Sequence, residues 1–377
     1  MRILVLAAAN SIHTQRWVDA LVERNLHIVL VTQHPSFDWQ PGGDATVREL
    51  PFNGNCGYIL NSFSLRRIIA ECEPDILHAH YASGYGTTAG LVGFHPTLLS
   101  VWGSDIFDFP KTSVLHRILL NWDLRRASRI ASTSKIMARQ VSKIAPASGT
   151  IAITPFGVNC RLFAPKKKDS PPRRLITIGT VKTMAPKYGI DTLIRAFALL
   201  MRDEQIISAG LHTELRLLLV GGGPDLSAYQ SLVSDLGIAS TVTFAGQVSH
   251  ASVASWLERL DVYVAASREE SFGVAVIEAS ACGLPVVVSD VGGLPEVVDD
   301  KISGFIFPHD KISELSRYLR TLVLESGLRM RMGQAGRERV MREYEWENCV
   351  DKMISLYDQM TTTRNQCISV TRDLTNP

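Results

Sequence analysis

The chain has 377 residues, of which 46% are hydrophobic and 20% charged, and its formal net charge is +2. This length predicts two domains rather than one core, and the apolar fraction excludes a disordered chain. The near-zero charge gives no reason to expect a duplex nucleic-acid binder, which usually has a strongly basic face. Residues 1–160 hold 14 basic against 11 acidic residues (+3) and the remainder 25 against 26 (−1), so the first half is only mildly basic.

The six cysteines stand singly with no CxxC pair, which predicts neither a disulfide framework nor a zinc site. Reduced thiols indicate a cytoplasmic protein. The apolar N-terminus is short and is followed at once by polar Asn10 and His13, which favours a first buried strand over a signal peptide. No apolar run reaches the roughly 18–20 residues of a membrane span, so any membrane contact would be peripheral.

The first half of the chain alternates between strand and helix patterns. Arg2 to Ala9 is a continuous apolar run, as expected for a parallel strand covered on both faces. Helical spacing of Trp17 and Leu21 predicts a helix at 14–24, and the resulting strand–helix–strand unit predicts a parallel sheet. Further strands are predicted at 27–32, 76–80, 97–101, 129–132 and 151–154.

The composition then changes, because prolines and a charge run at Pro165–Pro172 predict a linker. The alternation restarts after it. Strands are predicted at 175–178, 215–220, 242–244, 261–264 and 285–288, and helices at 192–200, 226–236, 252–259 and 274–282. Two such halves predict two Rossmann-like, doubly wound α/β domains, with ligands at the carboxyl ends of strands or in a cleft between domains.

The most informative motif follows the apolar strand Val262–Ala266. Glycine in the turn that opens the next helix lets a ligand approach the backbone, and the free amides of the first helical turn attract an anion such as phosphate. Glu270 and Glu278 flank this turn, and carboxylates are good acceptors for vicinal sugar hydroxyls. Spacing alone leaves surface charge as the alternative. The residues enclosed are Ser271, Phe272, Gly273 and Val274.

The whole run Val262–Phe307 resembles the donor-site signature of retaining glycosyltransferases of family 4, the bacterial glycosyl transferases group 1. The resemblance implies a GT-B fold, in which two Rossmann-like domains face a central cleft. Residues 1–164 would bind the acceptor and residues 165–343 the nucleotide sugar. A helix at about 344–360 would pack back on the first domain, and residues 361–377 would form a frayed tail.

The resemblance also assigns donor-site residues outside the main motif. Lys182 and Lys187 match the family's basic pair on the donor diphosphate, although a Tyr separates Lys187 from the glycine that follows it in many members. Fixed ammonium groups would stabilise a departing diphosphate, and the alternative is two solvated loop lysines. Gly221, Gly222 and Gly246 would line the nucleotide pocket, while the Gly292-Gly293 pair could equally be a tight turn.

The first half resembles the family less closely. Asn10, Ser11 and His13 follow the first predicted strand, and His80 ends the strand 76–80, so these residues would face the cleft. Trp102 stands where many members have a histidine that touches the donor sugar, which puts any mechanism that needs an imidazole there in doubt. Asp105 is a polar site group or a helix N-cap.

The function implied is retaining, metal-independent transfer of a sugar from a nucleotide-diphosphate sugar, UDP- or GDP-linked, to an acceptor hydroxyl. Glu270, Lys182 and Lys187 would be catalytic, and Glu278 would hold the ribose. No cofactor, metal or nucleic-acid partner is predicted. The acceptor would be a carbohydrate or lipid-linked molecule of cell-surface polysaccharide, lipopolysaccharide or glycolipid synthesis, met in the cytoplasm at the inner face of the membrane. The alternatives are a silent nucleotide-sugar-binding subunit and an epimerase or phosphorylase on the same fold.

Overall fold

The computed structural model describes residues 1–146, 151–165 and 175–373, with side chains up to residue 362. The chain forms two compact units, the first made of Met1–Pro155 with Cys349–Pro377 and the second of Phe156–Asn348. The second unit therefore begins before the predicted boundary at 164/165. The reason is local pairing, since the Val158 amide donates to the Tyr344 carbonyl (2.8 Å) and the Val158 carbonyl accepts from Trp346 (3.0 Å). Most of the predicted linker, residues 166–172, lies outside the described residues.

The first unit is built on a seven-stranded sheet in the order β3-β2-β1-β4-β5-β6-β7, with every pair parallel. The order reverses between β1 and β4, which makes their carboxyl ends the topological switch point where ligands bind in such folds. The strands are β1 Arg2–Leu6, β2 His27–Thr32, β3 Thr46–Glu49, β4 Ile76–His80, β5 Thr97–Val101, β6 Arg129–Ser132 and β7 Ile151–Ile153. The helices are α1 Ile12–Glu23, α2 Gly54–Cys72, α3 Tyr85–Val92, α4 Ser104–Phe107, α5 Phe109–Thr112, α6 Val114–Arg126 and α7 Lys135–Ile144.

The second unit has a six-stranded parallel sheet in the order β10-β9-β8-β11-β12-β13. Its switch point lies between β8 and β11. The strands are β8 Ile176–Val181, β9 Leu215–Val220, β10 Val242–Gly246, β11 Val262–Ala265, β12 Val286–Ser289 and β13 Gly304–Phe307. The helices are α8 Ile190–Met201, α9 Glu204–Ser208, α10 Leu226–Asp235, α11 Val253–Leu257, α12 Val274–Ala281, α13 Leu294–Val297, α14 Ile312–Leu324 and α15 Ser326–Glu343. The prediction of two doubly wound α/β domains is confirmed.

The last helix, α16 (Trp346–Asp373), joins the first unit from Cys349 onward. Two polar contacts fasten it there: the Tyr357 hydroxyl lies 2.7 Å from His78 Nδ1, and Asp351 pairs with Arg24. The helix runs to Asp373, whereas the sequence predicts a frayed tail from residue 361, and residues 374–377 lie outside the described part.

The edge strand β3 and helices α2 to α7 of the first unit have no counterpart among the predicted elements. The edge strand β3 is mostly exposed and polar, so it carries no apolar run that would indicate a strand. Helix α2 exposes large apolar side chains on its outer face, which obscures the apolar–polar periodicity of an ordinary amphipathic helix.

Candidate functional site

In the second unit, Lys182 and Glu270 meet at the switch point of the sheet. Lys182 follows β8 and Glu270 follows β11, which are neighbouring parallel strands, so their carboxyl ends meet at one edge. The Lys182 Nζ atom lies 2.6 Å from Glu270 Oε2, and the two side chains are only 14% and 12% exposed. Burial favours the neutral amine, but the Glu270 carboxylate outweighs this effect and raises the pKa of Lys182 above its ordinary value. The sequence thus places a fixed, charged pair at this edge.

Lys187 reaches the same place through Tyr188. The Lys182 and Lys187 Nζ atoms lie 4.7 and 5.0 Å from the centroid of the Tyr188 ring, within the range of cation–π attraction. The Lys187 carbonyl accepts hydrogen bonds from the Arg268 amide (2.8 Å) and the Glu269 amide (3.2 Å). The loop after β8 is therefore tied to the loop after β11. Sequence reasoning missed Tyr188, although its position between Lys187 and the glycine was the visible departure from the family pattern.

The Arg268 side chain also fixes the loops after β8 and β11 to each other. Its guanidinium binds Asp191 with two parallel 2.9 Å hydrogen bonds and Asp310 with a third of 2.9 Å. Gly189 is required beside it, because its φ is +60° and a Cβ atom would lie 1.9 Å from the Ala266 carbonyl oxygen. These contacts hold the Lys187 loop against the end of β11 before any ligand arrives.

The glycine-rich turn after β9 lies against the Lys182 loop. A Cβ atom on Gly221 would approach the Lys182 carbonyl oxygen to 1.9 Å, so only glycine allows the two backbones to lie this close. The Gly221 amide donates to the Gly246 carbonyl (2.8 Å), and a Cβ atom on Gly222 would approach Cβ of Gln247 to 3.1 Å. The structure thus brings Gly221, Gly222 and Gly246 together with Lys182.

The turn that holds Glu270 opens helix α12. Gly273 is its N-cap residue with φ +107°, and the Gly273 carbonyl accepts from Val276 (2.9 Å) and Ile277 (3.2 Å). The amides of Val274 and the residue after it precede those bonds at the helix N-terminus, where the helix dipole favours an anion. Ser271 and the buried Phe272 complete the turn.

Gly292 and Gly293 form more than a tight turn. Gly292 has φ +54°, and a Cβ atom there would lie 1.7 Å from the Glu270 carbonyl oxygen. The Gly293 amide donates to that same carbonyl (3.0 Å). The pair therefore supports the backbone of Glu270 from behind.

Glu278 is nearly buried on α12 and has one polar partner that sequence reasoning missed. Its Oε1 atom lies 3.2 Å from Nε2 of His250, which is more than a third exposed. His250 lies just after the loop that follows β10. The only sequence feature that could have indicated it was its position beyond this loop, which the family places beside the nucleotide base. Glu278 is accordingly held by an imidazole at one oxygen.

In the first unit, four aromatic rings link the carboxyl ends of β1, β4 and β5. The His80 ring lies 4.4 Å from that of His78 and 4.5 Å from that of Trp102, and Trp102 lies 5.9 Å from His13. His78 is hydrogen-bonded on both ring nitrogens, to Tyr357 and to Ser100 Oγ at 2.7 Å each. His78 is thereby fixed, and burial lowers its pKa to about 3.

His80 differs from His78 in its hydrogen bonding. It is 3% exposed, and its Nδ1 atom has no hydrogen-bond partner among the described residues. Burial first, and the neighbouring His78 and His13 second, lower the pKa of His80 well below its ordinary value. A neutral imidazole with one unbonded nitrogen thus lies 4.5 Å from the Trp102 ring at the switch point of the first sheet.

Asp105 holds two loops of the first unit together. Its carboxylate accepts from the amides of Ala82 and Gly103 (2.8 Å each) and of Trp102 (3.2 Å). It lies inside α4, whose N-cap is Gly103, so it is not itself the N-cap. Burial raises the pKa of Asp105 despite these amides.

Asn10 and Ser11 follow β1 as the sequence predicts. The Asn10 amide donates to the His34 carbonyl (3.3 Å), and Ser11 is the N-cap residue of α1. Sequence reasoning missed Tyr85, whose hydroxyl lies 2.8 Å from His34 Nδ1 and accepts from the Gln33 amide (3.1 Å). Within 1–146, 151–165 and 175–373, no group of three or more His, Cys, Asp or Glu side chains could hold a metal ion.

Family models match both halves of the chain. The model described as Glycosyl transferases group 1 matches residues 164–339, and the model described as Glycosyl transferase 4-like matches residues 2–134. An uncharacterised glycosyltransferase of Methanocaldococcus jannaschii is 23% identical, with 93% of this chain and 94% of the relative covered. The GDP-mannose-dependent alpha-(1-6)-phosphatidylinositol monomannoside mannosyltransferase of Mycobacterium tuberculosis is 26% identical, with coverages of 86% and 82%.

Solved structures share the fold. Sucrose-phosphate synthase from Thermosynechococcus elongatus superposes with a TM-score of 0.80 at 21% identity, covering 96% of this chain and all of that one. Anabaena HepE in complex with UDP and glucose superposes with a TM-score of 0.74 at 16% identity, covering 95% and 100%. Fold and site together define a GT-B glycosyltransferase. Within that class, the chain belongs to the GT4-type glycosyltransferases, as its two halves and its Glu270–Glu278 motif resemble them.

Proposed function

We propose that the chain transfers a sugar from a UDP- or GDP-sugar to an acceptor hydroxyl with retention at the anomeric carbon, without a metal ion. The observation that carries this proposal is the cluster of Lys182, Glu270 and Lys187 beside the N-terminus of α12. It combines two cations and helix amides for a diphosphate with one carboxylate for a sugar. Anabaena HepE, which shares the fold and was solved in complex with UDP and glucose, supports a nucleotide-sugar substrate.

The proposed step is a front-face displacement. The bond from the anomeric carbon to the diphosphate oxygen breaks, and its electron pair leaves with the diphosphate. The acceptor oxygen bonds the same face of that carbon while its proton passes to the diphosphate oxygen. Lys182, Lys187 and the amides at 272–274 stabilise the charge that develops on the leaving group. Glu270 holds the sugar hydroxyls and stabilises the developing positive charge.

Donor binding must reorganise the Lys182–Glu270 pair. Without donor, the two charges neutralise each other at 2.6 Å. An incoming diphosphate offers Lys182 a second acceptor, which releases part of the Glu270 carboxylate for the sugar. The Lys182–Glu270 contact therefore fixes the positions of the catalytic cation and carboxylate before the donor binds.

Glu278 supports the nucleotide end of the same site. It is buried on α12 with one oxygen facing His250, and we propose that it accepts hydrogen bonds from the ribose. Gly221, Gly222 and Gly246 would leave room for the nucleotide. The acceptor would approach Asn10, Ser11, His13, His80 and Trp102, with Asp105 fixing the loop that carries Trp102.

The proposal for the acceptor rests on the relatives rather than on the geometry of the site. The mycobacterial relative is named for a phosphatidylinositol mannoside, which supports a glycolipid or cell-surface polysaccharide acceptor. We propose a cytoplasmic enzyme that works at the inner face of the membrane. No helix within the described residues is long and apolar enough to cross a bilayer.

Mass spectrometry of the protein incubated with a panel of UDP- and GDP-sugars tests the proposal. Turnover of one donor, unchanged by EDTA, with product of the donor's anomeric configuration by NMR, is the expected result. Glu270→Gln should abolish turnover, while Glu269→Gln, its exposed neighbour, is the matched control. Inversion, or an EDTA-sensitive reaction, would contradict the mechanism.

A silent nucleotide-sugar-binding subunit is the second candidate. It is favoured by Trp102, which stands where many family members have a catalytic histidine and packs on His80 at 4.5 Å. The same panel separates the two functions, because a silent subunit would bind a donor and turn none over.

A further inference from the structure

The second unit holds a buried carboxylate that is hydrogen-bonded at only one of its two oxygens. The Glu278 side chain is 7% exposed, and its hydrogen-bond partner among the described residues is His250, whose Nε2 atom lies 3.2 Å from Oε1. Oε2 has no partner in the described part of the chain, yet it is not fully buried, so a ligand can reach it. A carboxylate offers about four acceptor positions, and burial with so few of them used is unfavourable. One oxygen is therefore held, and the other is open to a ligand.

His250 presents a defined ring nitrogen to Glu278. A carboxylate only accepts hydrogen bonds, so the nitrogen that faces it at 3.2 Å carries the proton, whether the imidazole is neutral or protonated. Nε2 therefore donates to Oε1 in both states of the ring. The contact consequently does not require a charged imidazole.

The imidazole is held in place although it is 39% exposed. His250 begins a short 3₁₀ turn, in which the Ser252 amide (3.0 Å) and hydroxyl (2.8 Å) both donate to the Ser249 carbonyl. Its ring meets the ring of the buried Phe163, with centroids 6.2 Å apart and planes at 63°. Phe163 is fixed in turn, since its carbonyl accepts from Arg337 of α15 (3.2 Å). The turn and the Phe163 ring thus set the position of the imidazole before a ligand binds.

His250 and Glu278 meet at the edge of the sheet where ligands bind in such folds. His250 comes just after the loop that follows β10, so it lies beyond the carboxyl end of that strand. Glu278 is the fifth residue of α12, and about 7.5 Å of helix axis separates it from the N-cap Gly273. A nucleoside diphosphate whose phosphates bind the N-terminus of α12 can therefore extend its ribose along the helix to Glu278.

We propose that His250 is a positioning residue of the donor site. Its Nε2–H group holds Oε1 of Glu278, which directs Oε2 to the ribose and makes nucleotide affinity depend on the ribose hydroxyls. Without the imidazole the carboxylate can rotate and bind water at both oxygens, so ordering it again would reduce the affinity. This inference rests on the proposed function, in which Glu278 accepts hydrogen bonds from the ribose.

Calorimetric titration with nucleoside diphosphates tests the role of His250. UDP and GDP are compared with their 2′,3′-dideoxy counterparts, which lack both ribose hydroxyls. The wild type should bind the ribonucleotide about 10- to 100-fold more tightly than the dideoxynucleotide of the same base, as expected for hydrogen bonds to a charged group. His250→Ala should weaken ribonucleotide binding about tenfold and change dideoxynucleotide binding by no more than about twofold. A general loss of structure would instead weaken the binding of both nucleotides.

Further variants separate positioning from support of the fold. His250→Gln keeps an N–H donor and should retain more of the ribose preference than His250→Ala does. Adding His250→Ala to Glu278→Gln should cause no further loss, because the imidazole acts through Glu278. His212→Ala is the matched control, since His212 belongs to the same unit but precedes the amino end of β9, at the opposite edge of the sheet. It should bind both nucleotides like the wild type.

Steady-state nucleotide release gives a second measurement. Hydrogen bonds to the ribose are the same before and during sugar transfer, so their loss weakens donor binding without slowing the chemical step. His250→Ala should therefore raise the KM for the donor about tenfold and change kcat by no more than about twofold.

Three results would overturn the inference. His250→Ala could keep the ribose preference of the wild type, or it could weaken both nucleotides equally, as a purely structural residue would. Alternatively, it could lower the ribose preference as much in the Glu278→Gln background as in the wild type, which would mean that it acts independently of Glu278. Failure of the proposed function has a different signature: the wild type itself would bind neither UDP nor GDP, or would show no ribose preference, and this inference would fall with it.

Discussion

Replacing Lys182 with Met tests whether the switch point of the second sheet is a prebuilt charged site. The substitution keeps the length of the side chain and removes the ammonium group that lies 2.6 Å from the Glu270 carboxylate. It leaves that carboxylate, which is only 12% exposed, without its partner. We expect both the free energy of unfolding and the transfer rate to fall.

The magnitude follows from distance and burial. Two unit charges 2.6 Å apart attract each other by ~6 kcal/mol at an effective dielectric constant of about 20, and desolvation of both groups offsets part of this. Breaking such a pair by removing one partner typically costs about 3–5 kcal/mol. We therefore expect Lys182→Met to lower the free energy of unfolding by about 3 kcal/mol, and Lys182→Met/Glu270→Gln to lower it by less than the sum of the single variants.

Urea unfolding of the wild type, both single variants and the double variant gives the coupling energy, and steady-state nucleotide release gives kcat/KM. Removing one group that stabilises developing charge should lower kcat/KM by about 10²–10³-fold. Lys187→Met is the matched control, because this lysine is exposed. It should lower kcat/KM while changing stability by no more than about 0.5 kcal/mol.

The reasoning would be refuted by a coupling energy near zero, since the 2.6 Å contact would then not form in solution. It would also be refuted if Lys187→Met destabilised the chain as much as Lys182→Met. The contribution of the pair should not change between pH 7 and 9, because the raised pKa of Lys182 keeps it charged and its stabilisation is lost only as pH rises through that pKa.

Three further variants probe supports of the two sites. Gly292→Ala forces a Cβ atom to within 1.7 Å of the carbonyl that it supports, so it should raise the KM for donor and lower the melting temperature. Tyr188→Leu removes the ring shared by two ammonium groups and should weaken nucleoside diphosphate binding about three- to tenfold by calorimetry, with nucleoside binding unchanged. His78→Gln removes a buried imidazole whose pKa is about 3. Between pH 7 and 5 this imidazole is protonated only in the unfolded state, which should lower the free energy of unfolding of the wild type by about 2 kcal/mol. The variant should not show this contribution.

Each of these has a control. Gly327→Ala lies in a helix, where the added Cβ atom would meet only the flexible Arg331 side chain at an ordinary contact distance of 3.5 Å, and it should raise stability slightly, by up to about 1 kcal/mol. Tyr188→Phe keeps the ring and should bind like the wild type, so equal losses in the Phe and Leu variants would exclude a role for the ring. His27→Gln removes an exposed imidazole and should leave the dependence of unfolding free energy on pH unchanged. If it reduced that dependence as much as His78→Gln does, the assignment to the buried ring would be contradicted.

The division into two doubly wound, parallel α/β units was accessible from sequence because apolar runs alternate with helical spacing in both halves. The order of the strands within each sheet was not predicted. Lys182 and Glu270 were singled out by their resemblance to the family's donor site, and the structure brings them together because each lies in the loop after a strand of the same parallel sheet. The edge strand β3 was not accessible, because an exposed, polar strand has no apolar signal. The same holds for helix α2, whose exposed Phe63 and Ile59 break the expected alternation.

Partners within the site were harder to predict than the site. His250 reaches Glu278 only through the path of the loop after β10, and spacing in the chain does not encode that path. The bond from His78 to Tyr357 joins residues far apart in sequence, so no local pattern could indicate it. The start of the second unit at Phe156 likewise depends on pairing between Val158 and Tyr344 rather than on composition.

The most direct measurement is nucleotide release from the donor that the panel identifies, compared between Glu270→Gln and Glu269→Gln. The two carboxylates are adjacent, but only Glu270 pairs with Lys182, and Glu269 is exposed. We expect Glu269→Gln to release nucleotide at close to the wild-type rate and Glu270→Gln to lose at least about 10²-fold in kcat/KM. Equal rates in the two variants would contradict the assignment of this edge of the second sheet as the site of sugar transfer.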